Sequence, residues 1–226
     1  MVTLYHFPVC PFSRMVRLAL GEFGLAAEFV EERPWERRED FLMLNPAGTV
    51  PVLVDDDGTV AAGNGAIAEY LAETRDPGLL MPEAPRDRAE VRRLIAWFDQ
   101  KFNEEVSRNL VAEKIDRRFM PPEMGGGPPD ATTVRAGLAN IRHHLNYVGY
   151  LARQRSWLAG DKLTYADLAA AAHLSCVDFL GHVPWDENTD ARNWYARIKC
   201  RPSFRPLLSD QIRGMKPPAA YADLDF

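Results

Sequence analysis

Cysteine is scarce in this chain, with only three residues among 226, at positions 10, 176 and 200. An odd number at such wide spacing fits neither a disulfide framework nor a zinc site, so we expect a reducing compartment and no metal. Long apolar runs are also missing, since no stretch approaches the ~20 residues that a membrane helix needs. The chain opens on a strand-like segment and not on the basic and then apolar stretch of a signal peptide. These absences predict a cytoplasmic protein that is not inserted in a membrane.

A cationic surplus is absent too. The chain has 27 Lys and Arg against 32 Asp and Glu, a formal net charge of −5, which argues against nucleic-acid binding. The charge is uneven, because residues 1–82 hold 6 basic and 13 acidic residues and the remainder holds 21 and 19. Such a shift at a proline-rich point predicts a boundary between two domains.

The first part of the chain predicts a small α/β domain. Short β-prone segments alternate with stretches whose apolar residues recur at helical spacing. Ser13 stands where it would cap the first helix. The predicted strands cover residues 2–6, 27–31, 50–54 and 59–62, and the predicted helices cover 14–23, 36–44 and 66–75. The order β-α-β-α-β-β-α is typical of a compact α/β unit.

Residues 77–85, rich in proline, predict a linker, and the pattern beyond it is helical almost without interruption. We expect an α/β domain over 1–76, an all-α domain over 86–215 and a C-terminal tail over 216–226. The predicted helices cover residues 86–120, 132–151, 164–180 and 189–198. Thr164 and Asp167 have the spacing of a helix-capping box.

Four motifs carry a family resemblance: C-P-F-S-R, N-P-A-G-T-V-P-V-L, G-A-I-A-E-Y-L and T-Y-A-D-L. Together they resemble the cytosolic glutathione transferase superfamily over nearly the whole chain. The resemblance implies a thioredoxin-like N-terminal domain, an all-α C-terminal domain and a homodimer. It also implies a cis peptide bond at Pro51, where the main chain of Val50 would pair with the cysteinyl backbone of glutathione.

The chain departs from this family where glutathione's γ-glutamyl group would be held. The family usually has Glu or Asp followed by Ser just before the third helix, whereas this chain has Gly63-Asn64-Gly65. Loss of a charged hydrogen bond of ~1.5–3 kcal/mol would weaken glutathione binding about ten-fold to a hundred-fold. We therefore expect no cofactor and a protein that is not an enzyme.

An enzymatic alternative depends on two residues near the first helix. Cys10 precedes a helix N-terminus, where the helix dipole and free N–H groups lower the pKa of a thiol. C-P-F-S resembles the thiol motif of omega-type and dehydroascorbate-reducing relatives, but Cys10 is equally well a small packing residue. Ser13 is either a hydroxyl that activates glutathione or only a helix cap. Under this alternative the protein is a glutathione-dependent transferase or thiol transferase.

Two further segments point to a narrower resemblance. Trp35 lies in the charged segment E-E-R-P-W-E-R-R, as a partner anchor or as part of the cleft wall. The chain ends in Y-A-D-L-D-F, with Asp223, Leu224 and Asp225 as candidate contacts. Both segments resemble the FzlA family of alphaproteobacterial division proteins, which have a glutathione transferase fold and bind the FtsZ polymer.

That resemblance implies an adaptor at the division site that contacts FtsZ and signals to cell-wall synthesis. It places the FtsZ-binding surface around the end of the long helix, where Glu113, Asp116 and Arg117 share one face at α-helical spacing. Its mildly basic character suggests docking to an acidic polymer, although a solvated helix end has the same composition. The tail would contact another division protein, and a dimer would crosslink filaments by avidity.

Overall fold

A four-stranded mixed sheet forms the core of the first part of the chain, in a computed structural model that describes residues 1–75 and 78–224. The strand order is β2-β1-β3-β4, with β1 parallel to β2, β1 antiparallel to β3 and β3 antiparallel to β4. The strands are β1 (Val2–His6), β2 (Ala27–Glu31), β3 (Val52–Val54) and β4 (Val60–Ala62), and the helices are α1 (Pro11–Glu22), α2 (Glu39–Leu44) and α3 (Asn64–Thr74). The predicted order and the thioredoxin-like fold are confirmed.

The remainder is helical, as predicted. The elements are α4 (Pro85–Ala96), a π-helical segment π1 (Trp97–Asp116), α5 (Arg117–Phe119), α6 (Ala131–Gln154), α7 (Tyr165–Phe179), α8 (Thr189–Lys199), α9 (Arg205–Leu208) and α10 (Ala219–Ala222). Every residue of α7 is buried, which places this helix at the centre of the helical part. None of the described helices combines the length and the apolar character that crossing a membrane requires.

Segments α4, π1 and α5 follow one another without a break, and we call residues 85–119 the long helix. Near its end the N–H of Arg117 bonds to the carbonyl of Ala112, five residues earlier, as in a π-helix. The buried residues Phe98, Phe102, Val106 and Leu110 recur every four positions, a wider spacing than the 3.6 residues of an α-helical turn. Residues three apart therefore do not share a face here as they would in an α-helix.

Two local predictions were wrong. The first helix begins before Ser13, with Cys10 at its N-cap and Pro11 in the first turn, where proline's missing N–H is not needed. Ser13 is buried inside α1 and accepts a hydrogen bond from the Phe7 N–H at 3.2 Å. The predicted helix 36–44 is divided into a 3₁₀ turn, Pro34–Glu36, and α2, because Arg37 between them is left-handed with φ of 47°. The capping box of Thr164 and Asp167 is confirmed at the start of α7.

A buried cluster of charges joins the two parts. The Arg14 side chain on α1 is fully buried and donates to Ser175 of α7 and to Asp210, each at 2.9 Å. Arg17 donates to both carboxylate oxygens of Asp210, also at 2.9 Å. Of the predicted linker, Leu80 is buried and its carbonyl accepts from the Tyr165 N–H at 3.1 Å. The predicted boundary at residues 76 and 77 lies outside the described residues, so the domain limits stay a prediction.

Candidate functional site

A cleft of about 300 Å³ lies between the start of α1, the Pro34–Glu36 turn and the long helix. Its walls are mostly apolar, and the polar side chains that reach it include Ser107, Arg108 and Asp116. The apolar lining comes from Phe7, Val9, Pro11, Phe12, Pro34, Trp35, Val50, Val111 and Ala112. The cleft thus combines residues from both parts of the chain, as ligand sites between domains commonly do.

Trp35 forms one wall of this cleft. Its indole is stacked on the ring of Phe119, with centroids 6.4 Å apart and planes at 9°, and it meets Phe7 edge-on at 5.2 Å. The side chain is half-buried, so part of the indole is open to solvent. The interpretation of Trp35 as part of the cleft wall is confirmed, and its role as a partner anchor stays a prediction.

Cys10 also lines the cleft, at the N-cap of α1. Burial raises the pKa of its thiol, and the nearby Asp116 carboxylate raises it further. Contacts with Ser13 act in the opposite direction but are weaker than the effect of burial. The thiol is therefore the dominant form at neutral pH. The raised pKa goes against the interpretation of Cys10 as a nucleophile activated by the helix N-terminus.

The structure separates the three residues predicted to share a face of the long helix. Glu113 and Arg117 form an ion pair at 3.0 Å, and Glu113 also accepts the Asp130 N–H at 2.7 Å, ahead of α6. Both line a groove beside the Gly/Pro-rich loop, whereas Asp116 faces the cleft. The prediction of a single face was wrong because π1 carries more residues per turn than an α-helix.

Asp116 is an isolated carboxylate. Among residues 1–75 and 78–224, no hydrogen-bond donor or cation is within bonding range of its side chain. Burial raises the pKa of Asp116 to about 6, and no neighbouring charge offsets that effect. Near neutral pH the cleft therefore presents a mostly ionised carboxylate without a partner, and a small fall in pH neutralises it.

The residues predicted as glutathione-site equivalents are Val50, Pro51, Gly63 and Asn64, and that role stays a prediction. The Val50–Pro51 bond is cis, as predicted, and Val50 lines the cleft. Gly63 is the N-cap of α3, with φ of 86°, and its N–H donates to the Pro51 carbonyl at 2.9 Å. Gly63 has no side chain, and Asn64 is buried with its amide turned towards the helical part. No carboxylate stands at this position.

Asn64 is the first member of a buried polar chain that sequence reasoning missed. Its amide donates to Asp99 at 2.6 Å, Asp99 contacts His173 Nε2 at 3.3 Å, and His173 Nδ1 contacts the Ser107 hydroxyl at 2.8 Å. A carboxylate accepts from the imidazole ring, so the Asp99 contact places a proton on Nε2, and Nδ1 shares its hydrogen bond with the Ser107 hydroxyl. The chain runs from α3 to the cleft. Its members are far apart in the sequence, and no local signal could have revealed it.

The C-terminal tail is docked at its base. The Tyr221 side chain is fully buried, and its hydroxyl donates to the Leu207 carbonyl at 3.0 Å. Leu224 is 36% exposed, so the apolar character of the tail reaches solvent beyond the anchor. Asp223 lies between them in extended backbone, and the predicted contact Asp225 lies outside the described residues. The docked residue of the tail is therefore Tyr221, and the residues predicted as a recognition element follow it, from Asp223 onwards.

A turn with three consecutive aspartates was not predicted as a site from the sequence. Asp55, Asp56 and Asp57 follow β3, and their carboxylate oxygens lie within 4.8 Å of one another. Asp55 is already engaged by Arg75 at 2.8 Å and by the Tyr70 hydroxyl. These contacts hold β3 to the end of α3, which accounts for Asp55 without a metal.

Comparison with known proteins gives consistent matches. The family model for the glutathione S-transferase N-terminal domain matches residues 4–78, and that for the C-terminal domain matches residues 113–202. FtsZ-localized protein A of Caulobacter vibrioides is 44% identical, over 99% of this chain and 98% of that protein. The structure of FzlA from C. crescentus has a TM-score of 0.94 at 45% identity, covering 100% of this chain and 99% of that one. A glutathione S-transferase from Rhodospirillum rubrum F11 has a TM-score of 0.95 at 51% identity, with both chains fully covered.

Proposed function

The chain belongs to the glutathione S-transferase family, and we propose that it acts as a non-catalytic adaptor that binds FtsZ filaments and regulates bacterial cell division and cell-wall synthesis. The observation that carries the proposal is the likeness, along nearly all of its length, to a protein named for its localisation with FtsZ. Under this proposal the protein works in the cytoplasm at the division site. As a homodimer it would bind two filaments and crosslink them by avidity.

The chemistry of the cleft supports an adaptor more than a glutathione enzyme. The γ-glutamyl position offers no carboxylate, and the amide of Asn64 is already bonded to Asp99. Burial raises the pKa of Cys10, so that thiolate is scarce at neutral pH. Ser13 accepts a backbone N–H inside α1 and does not line the cleft. Glutathione would therefore meet neither its usual anchor nor an activated nucleophile.

The proposed FtsZ contact includes the mouth of the cleft, where Trp35 and Asp116 are both accessible to a partner. The Glu113–Arg117 pair lies on the adjoining groove and extends this surface along the long helix. The tail, through Asp223, Leu224 and Asp225, is proposed as a second contact, to another division protein. Separate surfaces suit an adaptor because both partners can be held at once.

Co-sedimentation with assembled FtsZ tests the proposal. We expect the wild-type protein to pellet with filaments and Trp35→Ala to pellet at least several-fold less, because an aromatic side chain at the proposed contact is removed. Tyr150→Ala is the matched control, since Tyr150 is 53% exposed on α6 and does not line the cleft. Filaments that sediment without the wild-type protein would overturn the proposal.

A second candidate function is glutathione-dependent transfer through Cys10 or Ser13. It is favoured by the likeness to the Rhodospirillum rubrum glutathione S-transferase and by the cis bond at Pro51. Calorimetric titration with glutathione separates the two candidates. A dissociation constant below ~1 mM, which is about −4 kcal/mol, would require a working anchor and would favour the enzyme. In that case turnover should be lost in Cys10→Ala or in Ser13→Ala.

A further inference from the structure

Two of the polar side chains that line the cleft, those of Asp116 and Ser107, offer hydrogen-bond acceptors to a ligand. The Asp116 carboxylate has no partner among the described residues, and the Ser107 hydroxyl shares a hydrogen bond with His173 Nδ1 at 2.8 Å. The Ser107 oxygen keeps a lone pair with which to accept from a group in the cleft. The aromatic rings of Trp35 and Phe7 line the same cleft. A group placed among these atoms is favoured if it is a donor or a cation.

No basic side chain in the described part of the chain pairs with the Asp116 carboxylate. Among the residues that the structure describes, Arg108 is the one basic residue that lines the cleft, and its exposed side chain makes no ion pair with Asp116. Arg117, the next residue along the helix, is held by Glu113 on the neighbouring groove. Lys114 faces that groove too, where its amine contacts His182. The acid in the cleft is thus left for a group from another molecule.

We propose that the cleft receives a basic side chain, lysine or arginine, from the partner protein. Its charged end would pair with Asp116, and its aliphatic stem would lie along Val111 and the rings of Phe7 and Trp35. Long basic side chains combine an apolar stem with a charged head, which matches apolar walls with one acid. A cation over an indole or a benzyl ring is also attracted by the ring itself.

This inference rests on the proposed function and specifies its chemistry, namely that the FtsZ surface presents a base to this site. It is opposite in sign to the contact that the sequence suggested, a basic helix end meeting an acidic polymer. The reason is the internal pairing of Glu113 with Arg117, which uses one of the arginines at that helix end. The carboxylate in the cleft that has no partner among the described residues is that of Asp116.

Charge variants at Asp116 test the inference against FtsZ. We expect Asp116→Asn to weaken FtsZ binding at least about ten-fold and Asp116→Lys to weaken it further, since a charge pair is lost and then reversed. Glu104→Gln is the matched control, because Glu104 is an exposed acid of the same helix that does not line the cleft. If wild type binds FtsZ and Asp116→Asn binds equally well, the inference fails while the proposed function stands.

A second experiment does not depend on FtsZ. Nα-acetyl-lysine methylamide and its norleucine counterpart share a stem and differ in the ammonium group, and each is titrated while the Trp35 indole N–H is followed by NMR. We expect the lysine compound to bind at least about ten-fold more tightly to wild type and to lose this preference in Asp116→Asn. Absence of a lysine preference in wild type would overturn the inference whatever FtsZ does.

The same titration carries a pH signature. Asp116, with its pKa raised to about 6 by burial, should bind the lysine compound progressively less between pH 7.5 and 5.5, because the carboxylate becomes protonated. The other titratable groups that line the cleft are Arg108 and the Cys10 thiol, and burial raises the pKa of that thiol, so it keeps its proton over this range. Asp116→Asn should show no such decline, and an equal decline in the variant would contradict the role of Asp116.

Discussion

Asp210 and Asp116 are two carboxylates close to α1 that differ in their partners. Asp210 accepts hydrogen bonds from Arg14 and Arg17 and joins the α/β part to the end of the helical part. Asp116 has no bonded partner in the described ranges and lines the cleft. A buried charge that is fully paired maintains a fold, whereas one without a partner costs stability and is retained only where it has another use.

Removing Asp210 should give the largest effect. Asp210→Ala leaves the fully buried Arg14 and the neighbouring Arg17 without their carboxylate, and we expect the free energy of unfolding to fall by about 3–5 kcal/mol. Urea denaturation measures the change. Asp161→Ala, at an exposed aspartate, should stay within about 0.5 kcal/mol of wild type. A loss below about 1 kcal/mol for Asp210→Ala would show that the cluster does not maintain the fold.

Asp116→Asn should act in the opposite direction. Burial raises the pKa of Asp116 from 3.8 to about 6, so at pH 7 the folded protein bears the cost of an ionised carboxylate that the unfolded chain does not. We expect the variant to be more stable at pH 7 by about 2 kcal/mol. This advantage should shrink as the pH falls through 6 and disappear below the unfolded pKa near 3.8.

Urea denaturation of both proteins at pH 7 and pH 4 measures this difference. Wild type should lose less stability than the variant on acidification. A variant that is destabilised at pH 7 would mean that Asp116 is paired and that the contrast with Asp210 is wrong. Combined with weaker FtsZ binding, a stabilised variant would be the expected signature of a residue kept for function.

The tail also contains one side chain that is buried and hydrogen-bonded and one that is partly exposed, and their effects on stability should differ. Tyr221→Phe removes one buried hydroxyl that donates to the Leu207 carbonyl, and we expect a loss of about 1 kcal/mol in thermal or urea unfolding. Leu224→Ala, at a side chain that is 36% exposed, should change stability by less than about 0.5 kcal/mol. Equal effects of the two substitutions would show that the tail beyond Tyr221 is part of the core.

Much of the fold could be predicted because its signals are local. The alternation of β-prone and helical patterns predicted the order of elements, and Thr164 with Asp167 predicted the start of α7. Ser13 was predicted to cap the first helix, but Cys10 is the N-cap, because Pro11 is well suited to the first turn and allows an earlier start. The prediction also failed at Arg37, whose left-handed backbone divides a helix that the pattern alone would continue.

The candidate site was predicted less completely because its members meet over long distances in the chain. Trp35 and Val50 were expected near the cleft through the family resemblance, and both line it. Asp116 was predicted to share a face with Glu113 and Arg117, but it faces the cleft. The sequence does not reveal that π1 has more residues per turn than an α-helix. Asp99, Ser107 and His173 were not predicted, as their contacts join residues 35 to 74 positions apart.

The Arg14 cluster has a consequence for how the chain is made. Arg14 and Asp210 are 196 residues apart, and Ser175 is separated from Arg14 by 161. At a synthesis rate of about 5–20 residues per second, Asp210 follows Arg14 from the ribosome by about 10–40 s. Throughout that interval the newly made α/β part contains a guanidinium whose native site is incomplete. We therefore expect the N-terminal part to mature only when the chain is almost finished, so that an interrupted chain is left recognisably unfinished for chaperones and proteases.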